Sequence, residues 1–504
     1  GNCGKTQLLD PGASETLTIS YAVRDMASWS SEQGAYVQDA GNYVISLRNN
    51  SHDVIAESTV ELPAEVYKTD SATGNELSNQ FDDMTTYMQA NCENFSRADF
   101  AGTFPKPAED KTAAECGITL AAYDYKADAI YEAEAEMPTT GASNGLSLID
   151  MRGLDYDDEQ WNALLDQLSV NDMVNMLNDD AYNTPEVTSI NKPKTTDPDG
   201  PAGFTSLTGS TGNCAYCSEY VMAQTFNTEL MRQMGLILGQ EALASGYNGW
   251  YAPAMNTHRS PFAGRNFEYY SEDPVLAGNI AASVVSGAAQ NGVYSYIKHF
   301  ALNDQESYRI QHVCTWANEQ AVRECYLKPF EICVKNATYE MSYLSKDGTT
   351  TTKTMPATTA VMSSFNYVGA EWSGGRRSLQ TGVLRDEWGF KGFVLTDFNL
   401  YSYMQKQQAL YGGTDAQLTY AAMTGGFQDT KSATAVSALR EASHRLLFAV
   451  ANSNAMNGMV PGSTIKYGVA PWQYMVWGAS AVLAAVAGLC GWLALKKIKA
   501  NKAA

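Results

Sequence analysis

Residues 150–450 predict an α/β fold made of repeated strand-then-helix units, either a parallel barrel or a doubly wound sheet. A small β module precedes it and a membrane-spanning helix follows it. Three observations carry this reading. Short apolar runs that end in polar residues recur through 150–450, separated by segments with helical spacing. Near the start, LTISYAV (17–23) and YVISLRN (43–49) alternate with period two between Gly, Pro, Asn and Asp clusters. Near the end, residues 474–495 carry no charge at all.

The β module covers 1–66. The polar stretch 68–80 (KTDSATGNELSNQ) reads as a linker, and a helix is expected near 122–136, so 67–149 is taken as connector. In the α/β region, 229–244 places Leu230, Met234, Ile237 and Leu238 at helical spacing behind a cap at Asn227 or Thr228. GWYAPAMN, VYSYIKHF (293–300) and ATTAVMSSFN (357–366) read as strands, and SKDGTTTTKTMP (345–356) as a surface loop. The helix 433–451 turns Val436, Leu439, Leu446, Leu447 and Val450 inward, with Glu441 four residues before Arg445.

Residues 474–495 (YMVWGASAVLAAVAGLCGWLAL) reach the roughly 20 residues that a spanning helix needs. Trp472, Trp477 and Trp492 lie near its ends, where aromatic rings favour the interface, and the basic tail KKIKANK (496–502) follows. The expected topology is a single pass through the cell membrane, with the tail (496–504) cytoplasmic and everything upstream of the linker 459–473 outside.

The chain of 504 residues is long enough for a large barrel with accessories, and 44% apolar and 18% charged residues describe a globular protein. Its formal charge is −21, which argues against a nucleic-acid partner, because phosphate neutralisation needs clustered cations. Nine cysteines show no repeating spacing. Cys214 and Cys217 form one CxxC without a second pair or a nearby His, which points to a local disulfide or two ordinary thiols before a metal site. The start at Gly1, without an initiator Met, reads as a fragment or a processed product.

The stretch 390–398 (FKGFVLTDF) holds the chemistry. Phe393, Val394 and Leu395 form a buried strand behind Gly392, with Asp397 at its carboxyl end, where α/β barrels gather their catalytic groups. A carboxylate there can attack a sugar carbon, and an Asp there can equally cap a following helix. The strand alone leaves both open.

Five segments in order decide between them. DPDGPAGF (197–204), YAPAMNTHRSPFAGRNFEYYSEDP (251–274), KHFALNDQE (298–306), MSSFN (362–366) and GVLRDEWGFKGFVLTDF (382–398) resemble the motifs of glycoside hydrolase family 3, the β-glucosidase family. The resemblance implies a (β/α)8 TIM-like barrel over 150–458, with Asp397 as nucleophile and Asp199, Arg265, Lys298 and His299 holding the hydroxyls of the terminal sugar. It implies no cofactor and no metal. Glu268 and Asp273 are expected to structure their loop by pairing with arginines, and Glu306 and Arg309 to do the same. Phe365 stands where some members carry Tyr, which removes one hydroxyl near the nucleophile.

LLDPGASETLTISY and YVQDAGNYVISLRNNSHD resemble the family's fibronectin type III-like β-sandwich, and NQFDDMTTYM and FSRADFAGTFP the connector of members with reversed domain order. In those members a sandwich domain comes first and supplies the acid/base Glu, so this chain lacks it and its acid/base is unknown. The expectation is a retaining, exo-acting β-glycosidase for terminal β-D-glucosyl residues of a β-glucoside or oligosaccharide, needing that missing domain for full activity. The competing expectation is a cell-surface carbohydrate-binding protein, or an inactive fragment.

Overall fold

The computed structural model describes residues 4–50, 52–92, 112–120, 135–206, 211–345, 347–465, 468–469 and 471–503. Residues 122–134 of the helix expected near 122–136, and the connector segment 95–105, lie outside the described residues. The chain divides into two compact units, Gly1–Ser463 and Thr464–Ala504.

The first unit is organised by a four-stranded parallel sheet in the order Phe393–Leu395, Ala360–Ser363, Tyr294–Phe300, Gly249–Trp250. All four strands are buried along their whole length, as expected of parallel strands covered on both faces. Single bridges extend the sheet at either edge, Asp199 beside Tyr251 and Leu395 beside Ala416. The ring closes where Asp180 N–H donates to Gln417 O (3.2 Å) and Gln417 N–H to Leu177 O (3.0 Å). The result is a TIM-barrel-like α/β fold.

Among the described residues it departs from eight uniform units near its start. Residues 182–187 and 192–197 run antiparallel, with Val187 paired to Lys192 and the Thr195 and Asp197 N–H groups donating to Thr184 and Tyr182 carbonyls. Between them lies only a short turn, and a parallel crossover needs a dozen or more residues.

Helices follow the strands. Asn227 caps Thr228–Ser245 through a bond from Leu230 N–H (3.0 Å), and Ser432 caps Ala433–Ala451. The latter buries Val436, Leu439, Leu446, Leu447 and Val450 and pairs Arg445 with Glu441 at 2.9 Å. In Thr228–Ser245 the buried face is different from the expected one. Met234 and Leu238 point in, but Leu230 (45%) and Ile237 (51%) are exposed. Small residues set the contact: a Cβ on Gly235 would stand 2.2 Å from the Val284 carbonyl of the neighbouring helix Pro274–Ala289. Close backbone approach there rotates the larger apolar side chains outward.

Two further expectations change. Residues 17–23 are not a strand, and Val23–Met26 is a 3-10 turn. Alternation without a cross-strand partner does not hold an extended segment in a sheet. The Thr-rich stretch is no loose loop either. Thr350–Pro356 pairs antiparallel with Thr338–Leu344 along its full length, consistent with the strand preference of β-branched threonine. The N-terminal region contains an antiparallel pair, Gly41–Arg48 with Val54–Leu62, and a three-stranded sheet of Ser28–Ser30, Ala35–Gln38 and Glu65–Tyr67. The stretch 68–80 is docked rather than slack: buried Asp70 pairs with Lys335, and Asn75 donates to the Asp386 carbonyl at 2.6 Å.

The second unit is the helix Pro471–Ala503, long and apolar enough to cross a membrane.

Candidate active site

At the carboxyl ends of the parallel strands lies a cavity of about 540 Å³. Asp199, Arg265, Lys298, His299 and Asp397 all line it, although the first and last are 198 positions apart in the chain. Each arrives on its own element. Asp397 stands two residues beyond the strand Phe393–Leu395, and Lys298 and His299 belong to Tyr294–Phe300. The Lys298–His299 peptide bond is cis, and both side chains line the cavity. Arg265 opens the turn Asn266–Glu268, and Asp199 sits in the DGP segment.

Asp397 does not cap a helix. Its Oδ1 accepts the Phe398 N–H at 2.8 Å, and the next helix begins only at Lys406. Among the described residues nothing donates a hydrogen bond to its buried Oδ2, whose nearest cationic neighbour is Arg309 at 3.9 Å, with His299 Nε2 at 3.8 Å. These separations are too long for hydrogen bonds. One carboxylate oxygen is therefore fixed by the backbone and the other is left uncommitted beside a cation.

Lys298, only 4% exposed in its side chain, donates to Asp199 Oδ1 at 2.8 Å. Burial pushes the Asp199 carboxyl up, but the Lys298 ammonium outweighs it and holds it below the usual carboxylate range. Gly200 shapes this turn at φ +121°, and a Cβ there would stand 1.9 Å from the Gly203 carbonyl. Gly200→Ala must therefore move Asp199, and a misplacement near 1 Å lowers kcat/KM by about 10²-fold. Steady-state kinetics on the purified variant would show it, and an unchanged kcat/KM would contradict this placement.

His299 is buried, with its backbone clamped by Asn256, which accepts its N–H at 2.7 Å and donates to its carbonyl at 2.9 Å. Its Nδ1 faces the Tyr269 hydroxyl at 3.3 Å. Burial first, then the nearby charges of Arg265, Lys298 and Arg309, push its pKa well below the ordinary value. The unfolded chain protonates this ring near pH 6.5 and the folded chain does not, so stability falls as pH drops below about 6.5. The expected NMR signature is a His299 ring that stays neutral from about pH 8 to 5; a midpoint near its free value of about 6.5 would overturn the assignment.

Arg265 Nε pairs with Glu268, as expected for that loop. Burial works against its charge, but Tyr269, Glu268 and Asp397 hold its pKa above the ordinary arginine value. Asp273 takes a different part. It caps the helix Pro274–Ala289, accepting Val275 N–H (2.8 Å) and Leu276 N–H (3.1 Å), and makes no arginine pair among the described residues. Glu306 and Arg309 pair at 3.1 Å, but both also line the cavity, with Arg265 3.6 Å from Glu306. The Arg309 guanidinium stacks 4.6 Å from the Phe365 ring centroid.

Sequence reasoning missed Tyr182, Tyr251, Met362 and Tyr401, which also line the cavity. Met362 and Tyr251 lie inside quoted motifs, so position in those motifs was the available signal. Tyr182 and Tyr401 carried none. Cys214 and Cys217 are exposed free thiols.

The family model described as the glycosyl hydrolase family 3 N terminal domain matches residues 172–428. Beta-glucosidase A of Butyrivibrio fibrisolvens is 30% identical over 83% of this chain and 49% of its own length. A beta-glucosidase of Ruminococcus albus is 30% identical over 79% of this chain and 39% of its own. Among solved structures, a beta-glucosidase from Paenibacillus barengoltzii superposes with a TM-score of 0.64 at 24% identity, over 89% of this chain and 48% of that one, a likeness of fold. The chain spans about half, or less, of the length of these relatives.

Proposed function

This chain belongs to glycosyl hydrolase family 3, and on that premise we propose that it is a retaining, exo-acting β-glycosidase, a β-glucosidase by preference. Asp397 attacks the anomeric carbon of a terminal β-D-glucosyl residue and forms a covalent glycosyl ester; water then releases the sugar with its configuration retained. The observation that carries this is the uncommitted Asp397 Oδ2, buried at the strand end beside Arg309. Asp199 accepts from sugar hydroxyls, Lys298 and Arg265 donate to sugar oxygens, and neutral His299 donates from one ring nitrogen. Glucose-type specificity is supported by the names of the relatives.

The proton donor for the departing alcohol is assigned to a carboxyl outside the described cavity, supplied by a sandwich domain. Asp199 is paired with Lys298 and Glu306 with two arginines, so neither stands free to serve a leaving group. A leaving-group series tests this. Aryl glucosides of acidic phenols should be turned over, while alkyl glucosides should lag by the about 10²–10⁴-fold that general acid catalysis is worth. Equal rates would place a proton donor within this chain. Sugar binding without any turnover of the most activated glucoside would favour a carbohydrate-binding protein.

The same reading divides the chain into a fibronectin type III-like module (1–66), a connector (67–149), the barrel (150–458) and a single-pass anchor at 474–495. The basic tail supports a cytoplasmic C-terminus with the barrel outside. Protease added to intact cells should then remove the barrel and spare the tail.

A further inference from the structure

A second cavity, of about 450 Å³, lies on the opposite side of two loops that build the catalytic one. Its wall includes Arg259, Asp304, Gln305, Cys314, Trp316 and Tyr326. Ala263 faces this cavity and Arg265 the catalytic one; Gln305 faces this one and Glu306 the other. The two loops are tied together where Glu306 N–H donates to the Ala263 carbonyl at 2.8 Å.

The wall combines aromatic surface with planar hydrogen-bonding groups. Trp316 is half-buried and braced on one side by Tyr87, whose ring centroid is 4.0 Å away. Arg259 is held by a hydrogen bond to the Tyr326 hydroxyl, and Asp304 lies within electrostatic reach of it. One cation and one carboxyl roughly cancel, which disfavours an anion, and the density of polar groups disfavours an apolar ligand. An aromatic face beside guanidinium, carboxyl and amide groups suits a ring that is apolar on one side and hydroxylated at its edge.

We propose that this second cavity binds a neutral hexose, and that the bound sugar rests on the backs of the loops carrying Arg265, Glu306 and Arg309. The proposal is independent of whether Asp397 is a nucleophile, because its test reads a thiol rather than turnover.

Cys314 is a free, half-buried thiol whose pKa burial raises to about 11, so it alkylates slowly and measurably in mild alkali. The full chain in detergent is treated with N-ethylmaleimide with and without glucose, and the Cys314 peptide is quantified by mass spectrometry. Glucose at about ten times its dissociation constant should slow labelling about tenfold, by mass action. The protection should persist in Lys298→Ala, which disarms the catalytic cavity. It should disappear in Gln305→Ala, a change at an exposed residue whose side chain donates to the Ser307 carbonyl. No protection by glucose overturns the proposal. So does protection that vanishes in Lys298→Ala, or that survives unchanged in Gln305→Ala with the protein folded by circular dichroism.

Discussion

Asp397→Asn is expected to lower the turnover of an activated aryl β-glucoside by about 10³-fold or more, equivalent to about 4 kcal/mol of barrier. The amide keeps the size of the side chain and its acceptor oxygen toward Phe398 N–H, but it cannot form the glycosyl ester. Folding is expected to survive, since among the described residues no ion pair shorter than 3.8 Å involves this carboxylate. Asp397→Gly opens the space instead. Azide added to that variant should restore release of the phenol and yield the α-glycosyl azide, because a single displacement inverts the anomeric carbon. Undiminished turnover in Asp397→Asn, or an azide product of β configuration, would remove Asp397 from the role of nucleophile.

The largest expected effect on stability lies away from the cavity, at Arg323. Its guanidinium makes a fork to both oxygens of Glu387 (2.7 and 3.0 Å), a bond to Glu319 at 2.9 Å and another to the Ser78 carbonyl at 2.7 Å. It also lies 3.8 Å from the centroid of Trp29. Glu319 in turn accepts the N–H groups of Gln80 (2.8 Å) and Phe81 (3.1 Å). One buried cation thus joins the barrel to the N-terminal segment. Arg323→Met leaves two carboxylates buried without their counter-ion, and breaking such a pair costs about 3–5 kcal/mol. The expected result is a lower denaturation midpoint together with faster proteolysis between Trp29 and Phe81. Adding Glu319→Gln and Glu387→Gln should recover part of the loss, because the stranded charges go with them. A change below about 0.5 kcal/mol in the single variant would mean that the network is unimportant.

How much of this could be read in advance differs from element to element. The strand Phe393–Leu395 and the helix Ala433–Ala451 were legible from periodicity because burial decides both. The buried face of Thr228–Ser245 was not legible. It depends on how closely Gly235 lets the next helix approach, which is a property of the pair. Residues 17–23 show the same limit for strands: alternation is visible in one segment, while the ladder needs a second.

The cavity was legible in motifs and not in chemistry alone. Taken singly, Asp397 looked more like a helix cap than a nucleophile. Five ordered segments named the residues, and the fold brings all five side chains to one cavity. Arg309 shows what that reasoning could not supply. It was expected only as a structural partner of Glu306, yet its guanidinium also stands 3.9 Å from Asp397 and stacks on Phe365. Which of its neighbours an arginine reaches depends on three loops at once. Tyr182 and Tyr401 carried no signal, because aromatic residues scattered along a chain more often fill cores than line sites.

The most direct measurement is to inactivate the protein with 2,4-dinitrophenyl 2-deoxy-2-fluoro-β-D-glucoside, digest it, and map the modified peptide by mass spectrometry. The fluorine slows both steps and the good leaving group restores the first, so the glycosyl ester accumulates. The account predicts one fluoroglucosyl group per chain, on Asp397 within FKGFVLTDF. A label on any other carboxylate, or turnover with no covalent adduct at all, would contradict it.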